Sequence, residues 1–253
     1  MRESRMLMGM PITVEIADTD AKASAIELVF AYLRGVDERF STYKPTSEIS
    51  MLNDGRIRLD DCSAEMRGVL ALCDETSRLT GGFFDITGRD GRRDPSGLVK
   101  GWMIRAAADL LGSLGYKHYY VDAGGDIQVR GTNAAGQPLT VGIRDPFGST
   151  GMVKVLLLTD AGIATSGTYL RGQHIYDPRR KDDLITDIVS LTVIGPDVYE
   201  ADRFATAAFA MGRDGIAFIG RTVGLEGYLV DAAGTATMTA GFSRYVIDAP
   251  AYA

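Results

Sequence analysis

The chain has 253 residues, of which 45% are hydrophobic and 24% are charged, so it is long enough to bury a full core. Its 33 acidic and 27 basic residues give a net charge of −6, which argues against nonspecific binding to a nucleic-acid backbone. The two cysteines, Cys62 and Cys73, are too few for a disulfide framework or a zinc site, and we expect both to be reduced thiols.

The first half of the chain mixes one strand pattern with three helix patterns. An apolar run predicts a strand at 12–16. Apolar residues at helical spacing predict a helix that begins after Asp20 and includes Phe40, and a second one over 63–79. A third helix is expected to follow Lys100 and Gly101 and to end at Gly115, a residue suited to a left-handed cap.

The second half is richer in strand patterns. Short apolar or alternating runs predict strands at 119–121, 127–129, 139–143, 153–158, 189–194 and 228–230. A fourth helix is expected to open at Pro196, with Asp197 as its N-cap, and to stop at Gly212. This mixture predicts an α+β fold. Because no linker, repeat or low-complexity segment divides the sequence, we expect residues 1–253 to form one domain.

Asp202 and Thr206 lie four residues apart in the fourth predicted helix, and this spacing places both oxygen-bearing side chains on one helix face. Such a pair can bind a hard divalent cation, although a solvated helix face is the simpler interpretation of the spacing alone. The surrounding residues are nearly all apolar, however, and a buried carboxylate needs a cation or a hydrogen-bond partner.

Nine segments, the last of which contains this pair, occur in an order that resembles the ApbE-type flavin transferase family. They are Met8 to Pro11, Arg39 to Asn53, Gly82 to Thr87, Gly97 to Gly101, Asp122 to Asp126, Ile143 to Pro146, Ala164 to Gly167, His174 to Pro178 and Ala201 to Thr206. The resemblance implies a T-fold-like domain with a mixed, largely antiparallel sheet and packed helices. It also implies transfer of FMN from FAD to a threonine of an acceptor protein, with release of AMP.

The same resemblance implies a magnesium site. Its ligands would be Asp202, Thr206 and the carbonyl of Gly97, with help from Ala205. Mg²⁺ suits this set because it prefers oxygen ligands and takes many of them from phosphates and water.

The resemblance also assigns residues to FAD and to catalysis. The expected FAD contacts are Met8, Tyr43, Phe83, Phe84, Asp85, Asp94, Lys100 and Ile175, and the expected catalytic residues are His174, for proton transfer, and Asp202. From the residues alone, Lys100 is expected to be a surface lysine, and only the resemblance places it at FAD. His174 can instead be a hydrogen-bonded strand histidine, and one of the two phenylalanines can be a core residue. FAD hydrolysis to FMN and AMP, or FAD binding without turnover, stay open as alternatives.

Several positions depart from the family pattern. Arg105 stands where the family has an aspartate, Gln173 where a second histidine is common, and 179–181 read Arg-Arg-Lys. Many relatives are exported lipoproteins, whereas this N-terminus has no apolar segment of signal-peptide length and no lipobox cysteine. We therefore expect a cytoplasmic protein, or an exported form whose leader is trimmed, acting on an acceptor flavoprotein subunit without insertion into a membrane.

Overall fold

The computed structural model describes residues 1–148, 151–168, 176–180 and 184–247. These residues form six α-helices: α1 (Ala23–Phe40), α2 (Glu48–Asn53), α3 (Ala64–Leu79), α4 (Ser96–Ser113), α5 (Val198–Ala210) and α6 (Gly215–Arg221). They form eleven strands: β1 (Arg2–Leu7), β2 (Met10–Ile16), β3 (Tyr119–Ala123), β4 (Asp126–Arg130), β5 (Leu139–Arg144), β6 (Met152–Leu158), β7 (Gly162–Gly167), β8 (Ile188–Gly195), β9 (Glu226–Asp231), β10 (Ala236–Met238) and β11 (Val246–Ile247).

The strands build two sheets. The large sheet has the order β1-β2-β3-β4-β7-β8-β9-β10, and the small sheet has the order β11-β6-β5. Within the described ranges, every pair of neighbouring strands is antiparallel. The predicted α+β fold with a largely antiparallel sheet is therefore confirmed.

The large sheet is the middle of three layers, because its strands alternate apolar residues between two covered faces. In β7, for example, Ile163 joins a core shared with the small sheet, whereas the next residue, Ala164, joins a core shared with α5 and α6. A third cluster packs α1, α3 and α4 on the β2 and β3 end of the same helical face. Side chains of β4 and β7 that point to this face therefore meet α4 and α5.

The helices begin and end largely where the sequence signals predicted. Ser63 caps α3 by accepting a hydrogen bond from the Met66 N–H at 3.1 Å, and Asp197 caps α5 by accepting one from the Glu200 N–H at 2.9 Å. Gly115 follows the end of α4 with φ of +93°.

One helix boundary was predicted wrongly, and several elements were not predicted. Helix α4 begins at Ser96, so Gly97, Lys100 and Gly101 lie inside it, not before it. Strand β1 was not predicted, because its charged residues do not alternate with apolar ones. Arg5 of this strand, for example, pairs with Glu27 of α1, and its guanidinium stacks on the ring of Phe30. Strand β7, with two glycines and two hydroxyl residues, also lacks a strong strand signal.

Among the described residues, no helix combines the length and the apolar composition that crossing a bilayer requires.

Candidate active site between helices α4 and α5

Helices α4 and α5 pack antiparallel and very closely, and two glycines permit this. A Cβ atom on Gly97 would lie 3.1 Å from the Thr206 Cγ2, and one on Gly101 would lie 2.7 Å from the Asp202 Cβ. The glycine pair on α4 and the Asp/Thr pair on α5 have the same spacing of four residues, so each pair occupies one helix face and the two faces meet. The two glycines, which the sequence prediction placed before the helix, thus lie inside it and permit close helix packing.

This packing brings three kinds of oxygen donor together. The Asp202 Oδ2 accepts a hydrogen bond from the Gly101 N–H at 2.7 Å, and the Thr206 hydroxyl donates to the Gly97 carbonyl at 3.3 Å. A carboxylate, a hydroxyl and a main-chain carbonyl therefore lie along one side of the helix pair. They belong to Asp202, Thr206 and Gly97, the residues that the family resemblance names as metal ligands, and their binding of an ion stays a prediction.

Lys100 brings a positive charge to the same place. Its Nζ lies 2.5 Å from the Asp126 Oδ2 and 3.6 Å from the Asp202 Oδ1, and its side chain is 24% exposed. The alternative of a solvated surface lysine is therefore wrong. Asp126 is the first residue of β4, and its Oδ1 accepts a hydrogen bond from the Thr165 N–H at 3.0 Å.

Both carboxylates are almost completely removed from water: Asp202 is 3% exposed and Asp126 is 2% exposed. Burial raises the pKa of Asp202, and Lys100 opposes this shift while the nearby charge of Asp126 adds to it. Two buried carboxylates with one lysine between them form a site with an excess of negative charge, which favours a further cation.

The donors fit a hard divalent cation that takes only a few protein ligands. They are oxygen atoms of a carboxylate, a hydroxyl and a carbonyl, the types that Mg²⁺ prefers. Among the described residues no group of three or more His, Cys, Asp or Glu side chains could form a complete metal cage. Water and phosphate oxygens would therefore have to complete the coordination of the ion. Ala205 offers only main-chain atoms, since its side chain is buried in the apolar core.

The aromatic residues predicted to contact flavin lie in different environments. Phe84 is 3% exposed and packs in the main core beside Gly97, so the alternative of core packing is correct for this residue. Phe83 is partly exposed, and the guanidinium of Arg179 lies 3.5 Å from its ring centroid. Asp177 accepts two hydrogen bonds from the Arg179 guanidinium, both at 3.1 Å, and so fixes the cation over the ring.

The acidic residues of the predicted FAD set are exposed and shape the backbone before α4. Asp85 accepts a hydrogen bond from the Thr87 N–H at 2.8 Å, and Asp94 accepts one from the Ser96 N–H at 3.0 Å. Asp94 thus lies at the start of α4, close to Gly97. Asn53 supports the same segment, because its side chain exchanges two hydrogen bonds of 2.9 Å with the backbone of Arg93.

The two other predicted FAD residues lie on loops. Tyr43 is 95% exposed and follows α1, whereas Met8 occupies the β1–β2 turn with φ of +53° and packs partly against the core. The roles of Met8 and Tyr43 in FAD binding stay predictions.

Four residues of interest lie outside the described residues: Gln173, His174, Ile175 and Lys181. The roles predicted for His174 in proton transfer and for Ile175 in FAD binding therefore stay predictions.

Arg105, where the sequence departs from the family pattern, lies two helical turns after Gly97 on α4. It is 3.6 Å from the Asp197 Oδ2 and stacks over Tyr199 at 5.5 Å, so it ties α4 to the start of α5. These contacts lie where α5 begins, whereas Gly97 and Thr206 lie at the other end of the helix pair.

One residue of the site was missed by the sequence prediction. Asp126 closes the segment Asp122 to Asp126, which was matched to the family as a motif but not assigned a role. No local signal in that segment identifies the role of Asp126, because its partner Lys100 lies on another element.

Comparisons with known proteins place the chain beside flavin transferases. The family model "ApbE family" matches residues 8–93 and 88–229. The FAD:protein FMN transferase of Haemophilus influenzae is 25% identical over 267 residues, which cover 81% of this chain and 77% of that protein. The Vibrio cholerae protein of the same name is 34% identical over 130 residues, 48% of this chain. The aligned part of this chain spans 39% of the length of the Vibrio cholerae protein and 42% of the length of a relative from Salmonella typhimurium.

Solved structures show the same fold. The flavin transferase ApbE from Vibrio cholerae superposes with a TM-score of 0.84 at 22% identity, covering 97% of this chain and 98% of that chain. The ApbE protein from Thermotoga maritima superposes with a TM-score of 0.86 at 19% identity, covering 98% and 99%.

Proposed function

Because this chain belongs to the ApbE family, we propose that it transfers FMN from FAD to a threonine hydroxyl of an acceptor protein and releases AMP in an Mg²⁺-dependent reaction. The observation that carries the proposal is the convergence of Asp202, Thr206, Gly97 and Lys100 at one side of the α4 and α5 pair. The names of the relatives, FAD:protein FMN transferase, supply the reaction.

The reaction exchanges the phosphoanhydride bond of FAD for a phosphoester bond to threonine. The threonine oxygen forms a bond to the FMN phosphorus, the bond from that phosphorus to the bridging oxygen breaks, and the bridging oxygen leaves with AMP. The threonine proton must pass to a base, and His174 is the proposed acceptor. Such a transfer depends mainly on positioning and on neutralising charge at the phosphate oxygens.

The residues of the site divide this work. Asp202, Thr206 and the Gly97 carbonyl would hold Mg²⁺, which supplies charge neutralisation for the pyrophosphate when bound. The Lys100 ammonium adds a second positive charge beside it. Asp94 at the start of α4 and Phe83 beneath Arg179 lie on the segments that would contact the rest of the nucleotide.

A small cavity lies beside the segment that precedes α4. Its volume is about 210 Å³, and Phe84, Asp85 and Arg93 contribute to its walls. The cavity has both apolar and charged lining, which suits a planar heterocycle with polar edges.

The test is to incubate the purified protein with FAD, Mg²⁺ and an acceptor that carries a threonine in an Asp/Ser-Gly-x-Thr-like context. We expect AMP in solution and an increase in acceptor mass equal to FMN without water. AMP without an adduct would instead identify an FAD hydrolase, and bound FAD without either product would identify a flavin-binding protein.

Asp202→Asn tests the metal assignment. An asparagine keeps an oxygen acceptor for the Gly101 N–H, so we expect the fold to persist while Mg²⁺-dependent AMP release is lost. Asp109→Asn is the matched control, because Asp109 is an exposed carboxylate on α4 that pairs with Arg105. Full turnover by Asp202→Asn would remove the metal site from the proposal.

A further inference from the structure

Asp126 is a buried carboxylate that the proposed reaction does not use directly. It points from the start of β4 to the helical face of the sheet, and the Thr165 N–H fixes its Oδ1 at 3.0 Å. A carboxylate that is 2% exposed is costly unless a cation compensates it. The Lys100 ammonium, 2.5 Å from the other carboxylate oxygen, provides that compensation.

Lys100 lies between two carboxylates but closer to one of them. Its Nζ is 2.5 Å from Asp126 and 3.6 Å from the Asp202 Oδ1. The Asp202 Oδ2 already accepts the Gly101 N–H, so Oδ1 is the oxygen that faces the ammonium. An ammonium that moved from Asp126 onto Oδ1 would compete with a divalent cation for the lone pairs of the same carboxylate.

We propose that Asp126 is a positioning residue that holds the Lys100 ammonium away from Asp202, so that Asp202 keeps an oxygen for the divalent cation while the ammonium stays beside the metal site. The inference rests on the metal site of the proposed function. It assigns separate carboxylates to the two cations: Asp126 to Lys100, and Asp202 to the metal. Because Thr165 anchors Asp126 through a backbone N–H, the carboxylate cannot follow the ammonium if it shifts.

The test is a double-mutant cycle on Mg²⁺ affinity, measured by calorimetry in the absence of FAD. We expect Asp126→Asn to weaken Mg²⁺ binding by on the order of tenfold, the lower end of the effect of residues that support metal ligands. The Lys100→Met background has no ammonium for Asp126 to position, so Asp126→Asn should change the Mg²⁺ affinity there by less than about twofold. Asp126→Asn combined with Lys100→Met should therefore bind Mg²⁺ more tightly than Asp126→Asn alone.

A general electrostatic role for Asp126 predicts a different pattern. If its charge merely attracts the metal, Asp126→Asn weakens binding equally in both backgrounds, and the proposal is overturned. Lys100→Met alone leaves a buried carboxylate unpaired; if that variant does not fold, Lys100→Gln, which removes the charge but keeps a hydrogen-bond donor for Asp126, takes its place in the cycle. Asp122→Asn is the matched control, because Asp122 lies in the same hairpin and bonds to the Gly125 N–H.

Failure of this inference can be told apart from failure of the proposed function. A wild-type protein that binds no Mg²⁺, or binds it equally well after Asp202→Asn, would refute the metal site and the inference together. A wild-type protein that binds Mg²⁺ through Asp202 but is indifferent to Asp126→Asn would refute the inference alone.

Discussion

The close packing of α4 on α5 makes Gly101→Ala a sharp test of the site. The new Cβ would lie 2.7 Å from the Asp202 Cβ and 2.7 Å from the Val198 carbonyl oxygen. Neither atom is the end of a flexible side chain, so the two helices must separate or one must shift. Overpacking of this kind costs about 1–3 kcal/mol, and the rigid neighbours favour the upper end.

Part of this cost is offset by helix propensity. Alanine is better than glycine inside a helix by about 1 kcal/mol, so we expect a net loss of roughly 2 kcal/mol. For a chain of this length each kcal/mol corresponds to about 2–4 °C, which gives a fall in Tm of roughly 4–8 °C. The shift of Asp202 should also weaken Mg²⁺ binding.

The matched control is Gly68→Ala in α3. No atom lies within 4 Å of the Cβ that an alanine would add there, and the position is exposed. Only the propensity gain remains, so this variant should melt about 2–4 °C above the wild type. Thermal unfolding followed by circular dichroism measures the Tm of both variants. A Gly101→Ala protein that is as stable as the Gly68→Ala protein would refute the close approach of the helices.

Three further predictions concern the site and the core. Thr206→Val should weaken Mg²⁺ binding by about tenfold or more in calorimetry while Thr206→Ser retains it, because only the hydroxyl is a ligand; equal affinities would contradict this. Phe84→Ala should lower the urea-determined free energy of unfolding by about 3–5 kcal/mol, and the partly exposed Phe83→Ala by less than about 2 kcal/mol; similar losses would place both rings in the core. Burial raises the pKa of the Cys73 thiol from 9.0 to about 12. Between these pH values only the unfolded state loses the thiol proton, so stability should fall as pH rises, by up to about 1.4 kcal/mol per pH unit, and an unchanged slope in Cys73→Ala would contradict it.

The sequence predicted the elements whose own residues carry a periodic pattern. The stripe of α3, for example, and the capping residues Ser63 and Asp197 need only local spacing and side-chain chemistry to be recognised. The burial of Asp202 was also predictable, because the residues around it on α5 are apolar. That residues 1–253 form a single domain stays a prediction.

The glycines of α4 show the limit of local signals. Glycine is a poor helix former, so the third helix was predicted to begin only after Gly101. In the structure both glycines lie inside the helix, where their missing side chains make room for Asp202 and Thr206. The physical reason for these glycines is on another helix, and a pattern confined to 97–101 does not contain it.

The sequence by itself determined the α+β class, most of the strands, the four longest helices and a buried carboxylate one helical turn from a hydroxyl. Only the tertiary structure decided that Lys100 would lie between Asp126 and Asp202. These three residues come from a helix, a strand and a second helix, and they meet because the large sheet carries β4 and β7 side by side under α4 and α5. Local spacing determines which residues share a face of one element, whereas the partner of a buried charge depends on which elements pack together.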